Sequence, residues 1–235
     1  MFLTILLSLP SQGKQQREDR EPEAATGLQQ KIAFQSKEFM VVAANPYASW
    51  AGKNVLVKGG SAIDAAIAVQ AMLTLVEPQS SGIGGGGVIL YWDNKAKKLH
   101  TFDGRETAPS KARIDLFLED GQPVKWIDAV VGGKSIGVPG VLKALDMAHK
   151  EFGTLAWSEL FTDSISLSKN GFTVSHRLAS LLEGKIHPGL NQFRTSSIYF
   201  YPSGKPLAEG SIKKNPALAR TLTSIAQNGA DIFYT

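Results

Sequence analysis

The sequence predicts an α+β fold built in layers, with the predicted strands in the first half of the chain and most of the predicted helices in the second. Ala62–Val76 is rich in alanine and apolar on nearly every side, and a helix without a polar face is usually buried on several sides. Val88–Trp92 and Leu99–Asp103 are short apolar runs around a polar turn, which is the pattern of a hairpin. The apolar fraction of 43% over 235 residues is sufficient for a core.

The elements before the hairpin follow from local signals. Phe39–Ala44 is a valine-rich run that ends at Asn45-Pro46, and it predicts a buried strand. Ser61 and Asp64 resemble a capping box at the start of the alanine-rich helix. Pro78 stops that helix, because proline cannot continue it. We expect Ala65, Ala66 and Ala68 of the helix to lie in close contact with strands.

Five further helices are predicted from apolar stripes, caps and glycine stops. The helix 216–228 carries the clearest signals, with Asn215 as cap, Pro216 at its first position and Gly229 after its end. Ser175 is the predicted cap of the helix 176–183. The predicted helices are 48–58, 139–152, 155–169, 176–183 and 216–228.

Composition excludes several classes of protein. The net charge is +4, and the 25 Lys and Arg residues are scattered, whereas nucleic-acid binding favours a clustered basic patch. The chain has no cysteine, so disulfides and thiolate metal sites are ruled out. The four histidines show no metal-ligand spacing. No segment reaches the roughly 18 apolar residues of a membrane span. We therefore expect no nucleic-acid partner, no metal site and no membrane span.

Residues 1–31 differ in composition from the rest. Phe2–Leu9 resembles the apolar part of an export signal, but no Lys or Arg precedes it. It is either the remnant of a clipped signal, the interpretation we favour, or a stray hydrophobic end. Lys14–Glu23 holds seven charges and a proline, which is typical of a disordered linker. We expect globular structure from residue 32 to residue 235.

Two glycine-rich stretches fail as nucleotide sites. Gly82, Gly84 and Gly87 satisfy G-x-G-x-x-G, but a helix precedes them and a strand follows, the reverse of a dinucleotide fold. Gly132–Ser135 resembles a phosphate-binding loop, but Asp128 occupies the position of the required first glycine. The first cluster permits either tight packing or close approach of a ligand to the backbone, and the second predicts a flexible turn.

Arg105 is the strongest candidate for a binding residue. It follows the strand Leu99–Asp103 and precedes Ala108-Pro109, where the chain must turn. Its guanidinium offers a rigid fork of donors that matches a carboxylate, and Glu106 could hold that fork in place. From chemistry alone, a surface ion pair is the commoner interpretation of such a dipeptide.

Several motifs in one order resemble those of the gamma-glutamyltranspeptidase family, over about residues 33–235. The motifs are Met40–Ala44, Gly59–Ala68, the glycine cluster 82–87, Arg105–Pro109, Gly137–Gly140 and Gly229–Tyr234. The resemblance implies the N-terminal part of the large subunit of a self-cleaving N-terminal-nucleophile hydrolase. The complete fold is then a four-layer αββα sandwich, which this chain contains only in part.

The resemblance also implies the division of roles. Arg105 would grip the α-carboxylate of a gamma-glutamyl group, supported by Glu106. No Thr-Thr-His cut site occurs in this sequence, so we expect no catalytic residue in this chain and a threonine nucleophile C-terminal to residue 235. The chain alone is then expected to be inactive and to fold poorly.

The resemblance further implies substrates, partners and location. The donors would be glutathione or other gamma-glutamyl compounds, the acceptors water, amino acids or peptides, and the partner a small subunit from the same precursor. No cofactor is implied, and the expected location is periplasmic or secreted. Two alternatives remain open: a related acylase that cleaves another amide, such as a glutaryl-type substrate, and a catalytically inactive binding fragment.

Overall fold

The structure is a computed structural model that describes residues 32–185 and 187–235. The predicted signal remnant and linker at residues 1–31 lie outside these residues. The helices are α1 (Pro46–Val57), α2 (Ala62–Val76), α3 (Trp126–Val130), α4 (Val141–Phe152), α5 (Thr162–Asn170), α6 (His176–Glu183), α7 (Arg194–Phe200) and α8 (Pro216–Asn228). The strands are β1 (Gly87–Asp93), β2 (Lys98–Gly104), β3 (Leu118–Glu119), β4 (Gln122–Pro123), β5 (Phe172–Thr173) and β6 (Ile212–Lys213).

The strands pair as three antiparallel two-stranded sheets, β1 with β2, β3 with β4, and β5 with β6. Short 3-10 turns connect the helices, at Gly133–Ser135, Trp157–Phe161, Pro188–Asn191, Pro202–Gly204 and Ala230–Phe233. The prediction of mixed helix and sheet is confirmed. Within residues 32–185 and 187–235 the strands form no stacked pair of large sheets, so the four-layer sandwich stays a prediction.

Helix α2 is the buried centre, as its sequence predicts. Nine of its fifteen residues are buried, including Ile67, Ala68 and Leu75. It packs mainly against α1, α4, α5 and the turn Trp157–Phe161. We expected its alanines to contact strands, and this expectation was wrong in the choice of neighbour: helices cover it. Small side chains allow the close approach, since a Cβ at Gly52 of α1 would lie 2.7 Å from Val69 Cγ2.

The start of α2 is fixed by the buried carboxylate of Asp64. Ser61 Oγ accepts from Asp64 N, and Asp64 Oδ2 accepts from Ser61 N at 2.9 Å, which completes the predicted capping box. The same oxygen accepts from Thr154 N at 2.9 Å, Thr154 Oγ1 at 2.7 Å and Leu155 N at 3.1 Å. One side chain therefore joins α2 to the loop that follows α4.

Strands β1 and β2 form the predicted hairpin, with Gly87 opposite Gly104 and Asp93 opposite Lys98. Its turn is held by Asp93 Oδ1, which accepts from Lys95 N at 2.8 Å. One face of the hairpin packs on α4, where the rings of Tyr91 and Phe152 lie 4.5 Å apart. The other face is exposed and mostly apolar. Its apolar side chains are Val88, Leu90, Trp92 and Leu99, and Thr101 and Asp103 lie on the same face.

The prediction of a buried strand at Phe39–Ala44 was wrong. The segment belongs to no strand in the part of the chain that the structure describes, and Met40 and Val42 are exposed. Exposure alternates along it as in a strand, with Phe39, Val41 and Ala43 turned inward. A strand is defined by hydrogen bonds to a neighbour, and its apolar pattern is present here without that neighbour.

The predicted caps of the later helices are confirmed, whereas some of the predicted helix boundaries differ from the structure. Ser175 caps α6, Asn215 caps α8, and Gly229 ends α8 at a φ of 82°. The predicted helix 155–169 is divided into the 3-10 turn Trp157–Phe161 and α5. Helix α1 begins at Pro46, two residues earlier than predicted, because Asn45 caps it and proline suits its first position.

Residues 107–138 form a surface excursion without a single buried residue. The excursion contains β3, β4, α3 and the turn Gly133–Ser135. Its apolar side chains Ile114, Trp126 and Ile136 are exposed. None of the helices in the described ranges has the length and apolar character that a membrane crossing requires.

We expect Ala68→Leu to destabilise the protein, because Ala68 is 3% exposed within the packed centre. Overpacking such a position typically costs about 1–3 kcal/mol. Ala62→Leu is the matched control, since Ala62 is exposed on the same helix. Thermal unfolding measures both variants, and equal melting temperatures would contradict burial of α2 on several sides.

We expect Asp64→Ala to lower the free energy of unfolding by about 2 kcal/mol or more, because Asp64 is 0% exposed and hydrogen bonds to a charged group contribute about 1.5–3 kcal/mol each. Asp163→Ala is the control, because Asp163 accepts an exposed hydrogen bond from Asn54 at 2.9 Å. Chemical denaturation of the two variants compares a buried carboxylate with an exposed one. A loss of the same size in both would show that the network of Asp64 adds nothing.

The contribution of Asp64 should also depend on pH. Burial alone would raise the pKa of this carboxyl, but hydrogen bonds from Thr154, Ser61 and Leu155 outweigh it and lower the pKa below 3.8. A lowered folded pKa stabilises the protein above the unfolded pKa, and that contribution is lost as pH falls through the folded value. The difference in stability between wild type and Asp64→Asn should therefore hold at neutral pH and shrink below about pH 4.

Candidate functional site

Arg105 lies at the end of the β1–β2 hairpin, directly after β2. Asp103 Oδ1 accepts a hydrogen bond from Arg105 N at 2.9 Å, which fixes the backbone where the strand ends. The Arg105 side chain is 68% exposed, and its Nη1 lies 3.3 Å from Oε2 of Glu106, which is 30% exposed. The contact uses one of the three guanidinium nitrogens. An exposed pair of this kind is worth about 0–1 kcal/mol, and it leaves the other guanidinium nitrogens available to a ligand carboxylate.

Arg105 and Glu106 line a cleft of about 520 Å³. Three segments that are distant in the sequence form its walls: the glycine loop before β1, the end of β2, and the return of the surface excursion. The lining residues are Gly84, Arg105, Glu106, Thr107, Ala108, Ser135, Ile136 and Gly137.

Backbone hydrogen bonds hold these three segments together. Thr107 and Val138 form a two-way bridge, with N–O distances of 3.3 and 2.8 Å. The carbonyl oxygen of Gly85 accepts from Gly140 N at 3.1 Å and from Val141 N at 3.2 Å. The positions of the cleft walls therefore depend on main-chain geometry and on the start of α4.

Two glycines enclose the side chain of Glu106. A Cβ at Gly86 would lie 2.5 Å from Glu106 Oε2 and 2.7 Å from Gly104 O. A Cβ at Gly137 would lie 2.7 Å from Glu106 Cβ. The absence of side chains at both positions lets backbone press against Glu106 from two sides. This fixes the carboxylate that contacts Arg105.

The glycine cluster 82–87 combines a connecting role with close packing at one position. The cluster joins α2 to β1, which confirms the order that excluded a dinucleotide site. Gly86 serves close packing, whereas Gly84 faces open space in the cleft. The packing interpretation therefore holds at Gly86, and close approach of a ligand to the backbone stays a prediction.

The sequence did not indicate that Ser135 and Ile136 would form a wall of the cleft. Their stretch predicted only a turn, and it is one, a 3-10 turn in which Ser135 Oγ donates to Val130 O at 3.1 Å. The signal that could have found them is Gly137–Gly140, because a stretch with two glycines suggests close backbone approach. Among the described residues no group of His, Asp and Glu could hold a metal ion.

Comparison with known proteins gives this arrangement a context. A sequence profile described as gamma-glutamyltranspeptidase matches residues 48–235. The glutathione hydrolase proenzyme of Bacillus subtilis (strain 168) is 41% identical over 199 residues, which is 84% of this chain and 34% of that protein. This chain therefore spans about a third of the length of that relative.

Solved structures agree with the sequence comparison. Helicobacter pylori gamma-glutamyltranspeptidase has a TM-score of 0.82 at 32% identity, covering 87% of this chain and 58% of the other. Cephalosporin acylase from Bacillus halodurans has a TM-score of 0.68 at 27% identity, covering 88% of this chain and 40% of the other.

We expect Gly86→Ala to lower the melting temperature, because the new methyl group would displace either Glu106 or the carbonyl of Gly104. Overpacking of this kind costs about 1–3 kcal/mol. Gly84→Ala is the control two positions away, since a Cβ there meets nothing within 4 Å. Thermal unfolding of both variants provides the measurement. A Gly84→Ala protein that is as unstable as Gly86→Ala would show that close packing against Glu106 is not the cause.

Proposed function

This chain belongs to the gamma-glutamyltranspeptidase family, and we propose that it supplies the carboxylate-binding part of an enzyme that transfers or hydrolyses gamma-glutamyl groups. The observation that most supports this proposal is the position of Arg105. Its exposed guanidinium lines a cleft and lies within the residues that the family profile matches. Glu106 is the supporting residue. The chain covers about a third of its curated relative, so the whole activity is a proposal for a larger protein.

The geometry around Arg105 suits a carboxylate ligand. Arginine binds carboxylates through two parallel hydrogen bonds, which fix orientation as well as position. Glu106 occupies one side of the guanidinium, with Oε2 at 3.3 Å from Nη1. The remaining donors can take the α-carboxylate of a glutamyl group, and this places the gamma-amide at the other end of the substrate.

The nucleophile in the proposed reaction is a threonine at the N-terminus of a second chain released from the same precursor. Its hydroxyl oxygen attacks the gamma-carbonyl carbon, and its own amine accepts the proton. The C–N bond of the amide then breaks, the leaving amine takes that proton, and the glutamyl group remains as an ester. Water or an acceptor amine cleaves the ester and restores the threonine. Arg105 contributes by holding the substrate in the reactive orientation.

The exposed face of the central hairpin supports a second part of this proposal. Val88, Leu90 and Trp92 are each more than half exposed on one side of β1, and an apolar patch of this kind marks an interaction surface. In the proposed assembly the small subunit covers this face and completes the four-layer sandwich. The partners are then that subunit, a gamma-glutamyl donor and an amino-acid or peptide acceptor, in a periplasmic or secreted protein. No cofactor is needed for these steps.

A related acylase is the second candidate. The similarity to a cephalosporin acylase favours it, since a clamp for a carboxylate also fits a glutaryl-type chain. The two substrate classes differ by the α-amino group of glutamate. Turnover of a gamma-glutamyl anilide compared with a glutaryl anilide separates them, and the proposal requires a preference for the glutamyl compound.

We expect Arg105→Ala in the active enzyme to raise the donor KM strongly, because losing one partner of a charge pair costs about 2–5 kcal/mol where the bound substrate excludes water from it. Arg105→Lys should recover only part of this, since an ammonium lacks the two-pronged geometry. Arg113→Ala is the control, because Arg113 is an exposed arginine already paired with Asp115 at 3.0 Å. Steady-state kinetics provides the measurement. A donor KM that is unchanged in both Arg105 variants would remove Arg105 from the substrate site.

A further inference from the structure

The first turn of α4 has no side-chain cap of its own. The first backbone N–H groups of a helix lack partners within the helix and need outside acceptors. The cap position of α4 is Gly140, which has no side chain to supply one. Val141 N donates instead to Gly85 O at 3.2 Å, and Lys143 N donates to the hydroxyl oxygen of Tyr234 at 3.2 Å. The second acceptor comes from a residue 91 positions further along the chain.

We propose that Tyr234 is a positioning residue for Arg105 and Glu106, the pair proposed to bind the substrate carboxylate and called the clamp below. Tyr234 would act through the first turn of α4. The proposal rests on the function proposed above for Arg105. Tyr234 itself does not line the cleft, so its effect is transmitted through the helix.

The path from Tyr234 to the clamp consists of contacts that leave little free space. Helix α4 lies directly on the end of β2, since a Cβ at Gly104 would be 2.8 Å from Ala144 Cβ. The start of α4 holds the glycine loop through the carbonyl of Gly85. The next residue, Gly86, abuts the carboxylate of Glu106. A shift of the first turn of α4 therefore moves two of the segments that fix Glu106.

Tyr234 is held in place by the 3-10 turn Ala230–Phe233. Ala230 is buried, and Asp231 Oδ1 accepts from Lys143 Nζ at 2.7 Å. That ion pair is exposed, so it contributes little and is screened by salt. The Tyr234 hydroxyl is neutral at physiological pH, because the ordinary pKa of tyrosine is about 10 and partial burial raises it further. Tyr234 is itself 37% exposed, but its hydroxyl accepts directly from a backbone N–H of the helix start, whereas the ion pair contacts only the end of the Lys143 side chain.

The test is Tyr234→Phe in the active enzyme, which keeps the ring and removes the acceptor. A hydrogen bond of this kind corresponds to about a two- to tenfold change in an equilibrium constant. We expect the donor KM to rise by about that factor with kcat nearly unchanged, because a misplaced carboxylate clamp weakens ground state and transition state equally. In the Arg105→Ala background the same substitution should leave the KM unchanged, because the two residues act on one contact.

Tyr201→Phe is the matched control. The hydroxyl of Tyr201 donates to Leu182 O at 2.9 Å in a buried position, and neither residue lines the cleft. This variant should lower the melting temperature and leave the donor KM unaltered. The amide of Lys143 gives a readout independent of activity, since its hydrogen exchange should be faster in Tyr234→Phe than in Tyr201→Phe.

The outcomes distinguish this inference from the proposed function. If Arg105→Ala raises the KM and Tyr234→Phe does not, the positioning role is overturned and the function of Arg105 stands. If Tyr234→Phe lowers the melting temperature and kcat together at constant KM, its role is structural and the inference also fails. If Arg105→Ala leaves the KM unchanged, the clamp and the positioning role are rejected together.

Discussion

The buried carboxylate of Asp64 is the interaction on which the arrangement of helices depends. It sits in the first turn of the most buried helix, where the helix dipole favours a negative charge, and its Oδ2 atom also binds the backbone of Thr154 and Leu155. Its second oxygen, Oδ1, lies 3.6 Å from Nε2 of His149 on α4. Without this residue α2 would lose three hydrogen bonds to the loop after α4. Helix α4 also supports the hairpin and the glycine loop. The hydrogen bonds of Asp64 therefore help to fix the position of the cleft.

Exposure decides what a charged residue does in this protein. Asp64 is 0% exposed and bound by several donors, so its charge serves structure. Arg105 and Glu106 meet through one contact at a surface open to water. The contact uses Nη1 alone, and the exposed remainder of the guanidinium stays accessible to a ligand. The same kinds of charged group therefore hold the fold together in one place and remain available for a ligand in another.

The sequence predicted the elements whose signals are local. The apolar helix α2, the hairpin and the caps at Ser61, Ser175 and Asn215 follow from short-range patterns and are present in the structure. Phe39–Ala44 failed as a strand because pairing requires a partner that periodicity along one segment does not specify. Arg105 was selected by its place in a family motif, since an Arg-Glu dipeptide alone is commonly a surface pair.

The parts that the sequence did not predict arise from long-range contacts. Ser135 and Ile136 reach the cleft because a surface excursion of about thirty residues returns to the end of β2 through the bridge between Thr107 and Val138. The bond between Lys143 and Tyr234 spans 91 positions. No local sequence pattern predicts either contact, because each one depends on the path of the whole chain.

The glycine walls around Glu106 also determine where this protein can acquire new specificity. At Gly86 and Gly137 the wall is main chain, and any added side chain collides with its neighbours. Random substitution there yields damaged proteins far more often than altered ones. Ser135 and Ile136 line the same cleft with exposed side chains, so exchanging them displaces no packed neighbour, although replacing Ser135 removes its hydrogen bond to Val130 O. A library intended to change what the cleft accepts should therefore vary these two positions and leave the glycines fixed.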